Sequence, residues 1–189
     1  MPKLGMEPIR RDALVQATIH EIGSVGSLDV TVGQIARRAG MSPALAHHYF
    51  GGKDEIFLAA MRHILRDFGA EVRRVLRAAD SPRARPDAIV TASFAPAYFE
   101  RPVIRAWMGF YARAQEDNGT RRLLSIYQSR LRSNLTHAFR PLCADPHAAA
   151  ETVAALIDGL YLRAAIDGDA GQARDIALRL VDTLVERDA

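Results

Sequence analysis

Apolar residues recur at three- and four-residue spacing along nearly the whole chain, and no stretch alternates with period two. Ile9, Ala13, Leu14, Ala17, Ile22 and Val25 predict a first helix, opened by Pro8 and ended at Gly26. Thr31–Lys53, TVGQIARRAGMSPALAHHYFGGK, predicts two short helices joined by a tight turn and the start of a third. Thr31 with Gln34 three residues later is a capping box, and Ile35, Ala36 and Ala39 form a small apolar face. Gly40 permits the turn that a Cβ would hinder. Ser42 caps the second start, with Pro43 at the first helical position, where its missing N–H costs nothing. After Gly51-Gly52 a long helix runs to about Ala79, repeating Phe57, Met61, Ile64, Leu65, Phe68, Val72, Val75 and Leu76. At 1.5 Å per residue it spans roughly 40 Å, enough to serve two domains and act as a lever between them.

Asp80–Pro86 is a polar, proline-bearing break. Beyond it the pattern predicts helices over Asp87–Ala97, over Pro102 to about Asp117 (closed by Asn118-Gly119), and over Thr120–Arg140, stopped by Pro141. Asp145-Pro146 opens another helix that carries Val153, Leu156, Ile157, Leu160, Tyr161 and Ala164. Asp167–Gly171 breaks it, and Ile176, Leu180, Val181 and Leu184 mark the last. The expected fold is all-α with about nine helices: a three-helix head over 1–52 and a second helical domain over 53–189.

Composition narrows the function. With 189 residues and 49% apolar content the chain buries a substantial core. Cys143 is the only cysteine, so no internal disulfide forms, in keeping with a reducing compartment; its plain reading is a small buried hydrophobe. No run approaches the length of a membrane span and the amino terminus, an arm over Met1–Glu7 that carries Lys3, lacks an apolar signal core, which together lead us to expect a cytoplasmic protein without a membrane partner. A net charge of +3 is mild, and acids nearly balance bases over the first sixty positions, so charge alone does not argue for nucleic acid. An enzyme finds no support: there is no phosphate-binding glycine loop, no metal spacing and no cysteine–histidine dyad, so we expect no catalytic residue, metal or cofactor. His47-His48 is a poor metal pair, because adjacent helical residues point about 100° apart.

Two short capped helices around a turn glycine are the pattern of a helix-turn-helix, whose second helix offers its N-terminal residues to base edges. Through Thr31, Ile35-Ala36, Ala39-Gly40, Ser42, Tyr49-Phe50 and Lys53 the chain resembles the TetR family of one-component repressors. MPKLGM at the start, Ile9-Arg10-Arg11, Ala106-Trp107, Ser133-Asn134-Leu135 and ALIDGLYLRAA at 155–165 look like its choline-responsive branch, the BetI type. That resemblance implies a head in which Ser42, Pro43, Ala44 and His47 lie nearest the bases. Thr31, His48, Tyr49 and Lys53 would hold phosphates. Arg10 and Arg11 oppose the dipole of the first helix and so fit either phosphate contact or a solvated surface. His47 stands where many relatives carry Tyr, and Leu45-Ala46 replaces a Thr-Leu pair, so base contacts do not transfer in detail.

The resemblance further implies a homodimer on palindromic double-stranded operator DNA, paired through the helices over 146–167 and 170–187. Ala154, Ala155, Gly159, Ala164 and Ala165 permit close helix approach there, though they equally suit an intrachain core. It implies choline as the effector that relieves repression of choline-to-glycine betaine genes. A quaternary ammonium is held by aromatic faces with a carboxylate nearby. Trp107, Phe110 and Tyr111 share one helix face; Phe94, Tyr98 and Phe99 precede them, and Tyr127, Tyr161 and Asp158 follow. These rings suit a cation cage with Asp158 or Glu100, or a packed core; Asp158 also suits an ion pair with Arg105, Arg113 or Arg163. The rival reading keeps the fold and makes those three arginines a pocket for an anionic effector.

Overall fold

In the computed structural model, which describes residues 6–25 and 29–186, every regular element is helical. In order these are α1 (Met6–Val25), α2 (Val32–Arg38), α3 (Pro43–Phe50), α4 (Lys53–Ala78), α5 (Ala84–Ser93), a 3-10 turn (Pro96–Phe99), α6 (Arg101–Arg113), α7 (Asn118–Phe139), α8 (Pro146–Asp167) and α9 (Ala170–Glu186). Lys3, Gly26 and Arg187 lie outside the described residues. No described helix is long and apolar enough to cross a membrane.

The capping chemistry is as the residues dictate. Thr31 and Gln34 form both halves of the capping box at α2. At its other end Gly40 takes φ +67°, while Met41 N–H donates to the Ala36 carbonyl (2.9 Å) and Gly40 N–H to that of Arg37 (3.1 Å). This is the Schellman arrangement, which satisfies carbonyls the helix itself leaves orphaned. Asp145 caps α8 by accepting from His147 N–H (3.1 Å) and Ala148 N–H (3.0 Å).

Several boundaries differ from the sequence pattern, among them the end of α5, which stops at Ser93 short of the expected Ala97 and is followed by the 3-10 turn over Pro96–Phe99. α5 begins at Ala84, not Asp87, because Pro86 is accommodated in the first turn, where an N–H has no intrahelical acceptor. α6 ends at Arg113, and Asn118-Gly119 opens α7 instead of closing α6. Asp117 explains this: its carboxylate accepts from both the backbone N–H and the hydroxyl of Thr120 at 2.6 Å, acting as the cap of α7. Those bonds to the charged form hold the Asp117 carboxyl below the usual carboxylate range. Ile9 and Val25, expected in the core, are 62% and 45% exposed at the two ends of α1.

The chain forms two compact units, Met1–Leu65 with Glu100–Arg122, and Arg66–Phe99 with Leu123–Ala189. The first is therefore not the head alone, since it also takes the first half of α4 and all of α6. This division by contact is a different partition from the one the sequence pattern leads us to expect at 52/53. Its physical basis is a close crossing of α6 over α1. A Cβ built on Gly23 would lie 2.6 Å from Pro102, and the Arg105 guanidinium donates to the Gly23 carbonyl. Leu14, Ile22, Ala106 and Phe110 are buried in this unit. In the second unit α9 packs against α8 and α5, around Ile89, Val90, Leu135, Phe139, Val153, Ile157 and Val181.

Gly23→Ala forces Pro102 and with it α6 away from α1. We expect a loss of roughly 1–3 kcal/mol, the usual cost of overpacking, measured as a lower urea midpoint with an unchanged m-value.

Candidate DNA interface and effector site

α3 is held by its one buried residue, Ala46, and by Ser42, whose hydroxyl accepts from Leu45 N–H at 3.2 Å. Ser42, Pro43, Ala44, His47 and His48 are all exposed, while Tyr49 and Lys53 are half-buried. His47 is more constrained than its exposure suggests. Its Nδ1 lies 2.8 Å from the Gly51 carbonyl, which only accepts, so Nδ1 carries the proton. The neutral ring is then left with Nε2 as an acceptor, the complement of an adenine or cytosine amino group in the major groove. Sequence alone gave no signal for this, because it depends on the turn at Gly51.

Thr31 is exposed, but its hydroxyl is engaged: it accepts from Gln34 N–H (3.2 Å) and donates to Gln34 Oε1 (2.9 Å). Phosphate oxygens are acceptors, so a contact there requires the hydroxyl proton to turn away from Gln34. Arg10 and Arg11 both reach the end of α3. Arg10 donates to the Tyr49 hydroxyl at 3.5 Å, and the Arg11 guanidinium lies 4.7 Å over the Phe50 ring and 3.3 Å from Glu7. The cation–π contact is worth about 0.5–1 kcal/mol and the exposed ion pair less. These arginines thus tie α1 to α3 while keeping other N–H groups available.

The eight residues expected around an effector fall into two groups, one in each unit. Trp107 meets Phe110 edge-to-face (5.6 Å, 72°) and Tyr111 at a tilt (5.7 Å, 31°) in the first unit, with Trp107 and Phe110 buried. In the second unit Phe68 stands between Tyr98 (5.4 Å) and Tyr127 (5.9 Å), and the Tyr127 hydroxyl donates to Asp158 at 3.5 Å. Phe99 lies between Phe94 (6.2 Å) and Tyr161 (4.9 Å), and the Tyr161 hydroxyl donates to the Tyr98 carbonyl at 2.7 Å. Burial, with the carboxylates of Glu71 and Asp67 adding to it, pushes the Tyr98 phenol up to about 12, and burial also raises Tyr161. Phe68, which the sequence pattern treats only as a core position, is central here, and Asp67 and Glu71 escaped notice altogether. Their i, i+4 spacing on α4 was the available signal. Of the three arginines proposed for an anion pocket, Arg105 is engaged by the Gly23 carbonyl and Arg113 by Asp54 at 2.6 Å, both in the first unit.

The small residues of α8 also divide. Ala154 and Ala164 are buried within the chain, whereas Ala155 and Gly159 are exposed together with Leu162 and Ile166, the last 83% exposed. Positions 155, 159, 162 and 166 form one stripe at helical spacing, and nothing lies within 4 Å of a Cβ built on Gly159.

A capped helix-turn-helix with an exposed second helix, joined to a further helical unit, defines a DNA-binding transcriptional regulator. Residues 14–60 match the family of bacterial regulatory proteins of the tetR family, and residues 82–186 match the C-terminal domain of BetI-type transcriptional repressors. The chain is 49% identical over 187 residues to the HTH-type transcriptional regulator BetI of Brucella anthropi, covering 98% of this chain and 96% of that one. It is 51% identical over 165 residues to its namesake in Agrobacterium fabrum, covering 86% and 80%. The chain belongs to the TetR family of transcriptional regulators, with a BetI-type C-terminal domain. Regulators of this kind are not enzymes; they bind operator DNA, dimerise and respond to small-molecule effectors. The fold matches a transcriptional regulator from Pseudomonas aeruginosa PAO1 (TM-score 0.84, 24% identity, covering 97% of this chain and 93% of that one). It also matches one from Saccharomonospora viridis, solved in complex with choline (TM-score 0.77, 21% identity, covering 93% and 95%).

The raised Tyr98 phenol has a stability consequence. In the unfolded chain tyrosine ionises near pH 10, whereas in the fold Tyr98 keeps its proton until about 12. Above pH 10 the unfolded state therefore sheds the proton first, and the fold loses stability as pH rises through this window. With partial solvent screening the contribution is roughly 1–2 kcal/mol. Urea titrations from pH 9 to 12 should show a shallower decline for Tyr98→Phe than for wild type.

Proposed function

We propose that this repressor controls genes of choline-to-glycine betaine conversion and is relieved by choline bound in its C-terminal domain. The observation that carries the reading is the grouping of Phe68, Tyr98 and Tyr127 beside Asp158, with Asp67 and Glu71 close to Tyr98. Choline offers a cation that donates no hydrogen bond from its ammonium head, so aromatic faces and carboxylates are the groups that recognise it. The BetI name of the relatives and the choline held by the Saccharomonospora protein support the same assignment. Phe94 and Tyr161 back these rings, while Trp107, Phe110 and Tyr111 form a second aromatic group that the same ligand would suit.

On DNA, Ser42, Pro43, Ala44 and His47 of α3 meet the bases, and Arg10, Arg11, Thr31, His48, Tyr49 and Lys53 meet the backbone. Lys53 opens α4, where free N–H groups also favour a phosphate. A homodimer places two such heads on a palindrome through α8 and α9. Choline then favours the conformation whose heads no longer match successive major grooves, with α4 as the connecting lever. It acts only through its different affinity for the two states. A coupling of about 1–3 kcal/mol weakens operator binding roughly 5- to 150-fold.

Calorimetric titration with choline tests the effector. Wild type should give saturable heat, weakened about tenfold or more in Asp158→Asn and Tyr127→Ala. Loss in Trp107→Ala with Asp158→Asn unaffected would move the cation to the α6 group. No heat with choline or betaine aldehyde would leave the family standing and remove the betaine reading.

The dimer has its own test. Gly159→Arg meets open space within one chain, so circular dichroism should be unchanged, while sedimentation should show a shift from dimer to monomer. Affinity for a palindromic operator should fall by about tenfold or more as one of two half-sites is lost.

A further inference from the structure

One polar stripe of the second unit serves none of these roles. On α7, Ser129, Arg132, Ser133, Thr136 and His137 recur at three- and four-residue intervals and so share a face, continued by Arg140 in the turn just after the helix, while Leu131, Leu135 and Ala138 are buried. That face lines a cavity of about 610 Å³, completed by Leu76 of α4, Arg85 of α5, and His147 with Glu151 of α8. The volume is that of a small-molecule site. Ser133 and Asn134 belong to the Ser133-Asn134-Leu135 run: Leu135 is fully buried, and the two polar residues border the cavity.

The charge around it is lopsided. Three guanidiniums, Arg85, Arg132 and Arg140, face one carboxylate, Glu151, leaving +2 before either histidine takes a proton. Glu151 pairs with Arg132 at 3.3 Å, but both side chains are about half exposed or more, at 63% and 45%, and such pairs contribute little. Arg132 is thus open to a stronger acceptor. The Nε–H of Arg85 has no hydrogen-bond partner among the described residues, so its guanidinium is not neutralised by a carboxylate at that nitrogen. Leu76 is the one apolar side chain among the lining residues, so the complementary molecule is polar and rich in acceptors.

We infer that this cavity is a second ligand site, for a small phosphate-bearing molecule. Arginine forks hold phosphate oxygens bidentately, and the serine hydroxyls and the Asn134 amide supply the remaining donors. A cleft lined by one sign of charge also concentrates such an anion locally. Its preference is opposite to that of the Tyr127–Asp158 group, so the two sites take different ligands. By joining α5, α7 and α8 the bound anion stabilises the second unit.

Titration of the full-length protein with inorganic pyrophosphate and with orthophosphate, at ionic strength matched with sodium chloride, tests this. We expect saturable binding, tighter for pyrophosphate, with a rise in thermal midpoint that chloride does not reproduce. Arg140→Gln and Arg132→Gln should each weaken it about tenfold or more, whereas Arg179→Gln, exposed on α9, should not. Should Arg140→Gln fail to fold by circular dichroism, the exposed His147→Gln reads out the same loss. Choline heats should be equal in wild type and Arg140→Gln, which separates this site from the effector site. Absence of saturable binding at matched ionic strength, or an equal effect of Arg179→Gln, would overturn the inference.

Discussion

The crossing of α6 over α1 is the contact on which the first unit depends. Pro102 reaches the α1 backbone at the one residue without a side chain, Gly23. Gly23 lies in the last turn of α1, where carbonyls have no intrahelical donor and the helix end is partially negative. Arg105, one turn beyond Pro102, places its guanidinium on that carbonyl. Close packing, an orphan acceptor and a dipole are thus answered by one proline, one glycine and one arginine. The result is that α6, which follows the proline-bearing break in sequence, folds as part of the unit that carries the helix-turn-helix.

The head itself was legible because its constraints are local. Capping boxes, a proline at a first helical position and a glycine at positive φ are decided by residues three or four apart, and Thr31, Gln34, Gly40, Ser42 and Pro43 occupy the positions the pattern assigns. The long α4 and the α8 start at Asp145-Pro146 were legible for the same reason. What local pattern does not encode is which helices touch. Gly23 looks ordinary inside α1 until Pro102 is seen against it, and Asn118-Gly119 reads as a stop until Asp117 is seen capping the following turn.

The aromatic groups show the same limit. Aromatic residues were recognisable as candidates by type, yet their grouping depends on tertiary packing. Trp107, Phe110 and Tyr111 are one helix face and stay together, as their spacing requires. Tyr98, Tyr127 and Asp158 come from three separate segments, joined through Phe68, a residue whose helical period marks it only as core. The arginines divide likewise, with Arg105 and Arg113 committed inside the first unit while Arg85, Arg132 and Arg140 share a cavity in the second.

The Phe68 group occupies a particular place in the chain. The backbone passes between the two units three times, at 65/66, 99/100 and 122/123. Phe68, Tyr98 and Tyr127 each lie within five residues of a different one of these passages. A ligand that drew these three rings together would act on all three covalent connections at once, one inside α4, one leading directly into α6 and one inside α7. α6 is locked to α1 at Gly23, and α1 is tied through Arg10 and Arg11 to the end of α3. Under the proposed function, the segments that carry the rings run covalently into the unit that holds the helix-turn-helix. Transmission requires no long pathway of side-chain contacts, only that the rigid elements on either side of each passage have two arrangements between which the ligand discriminates.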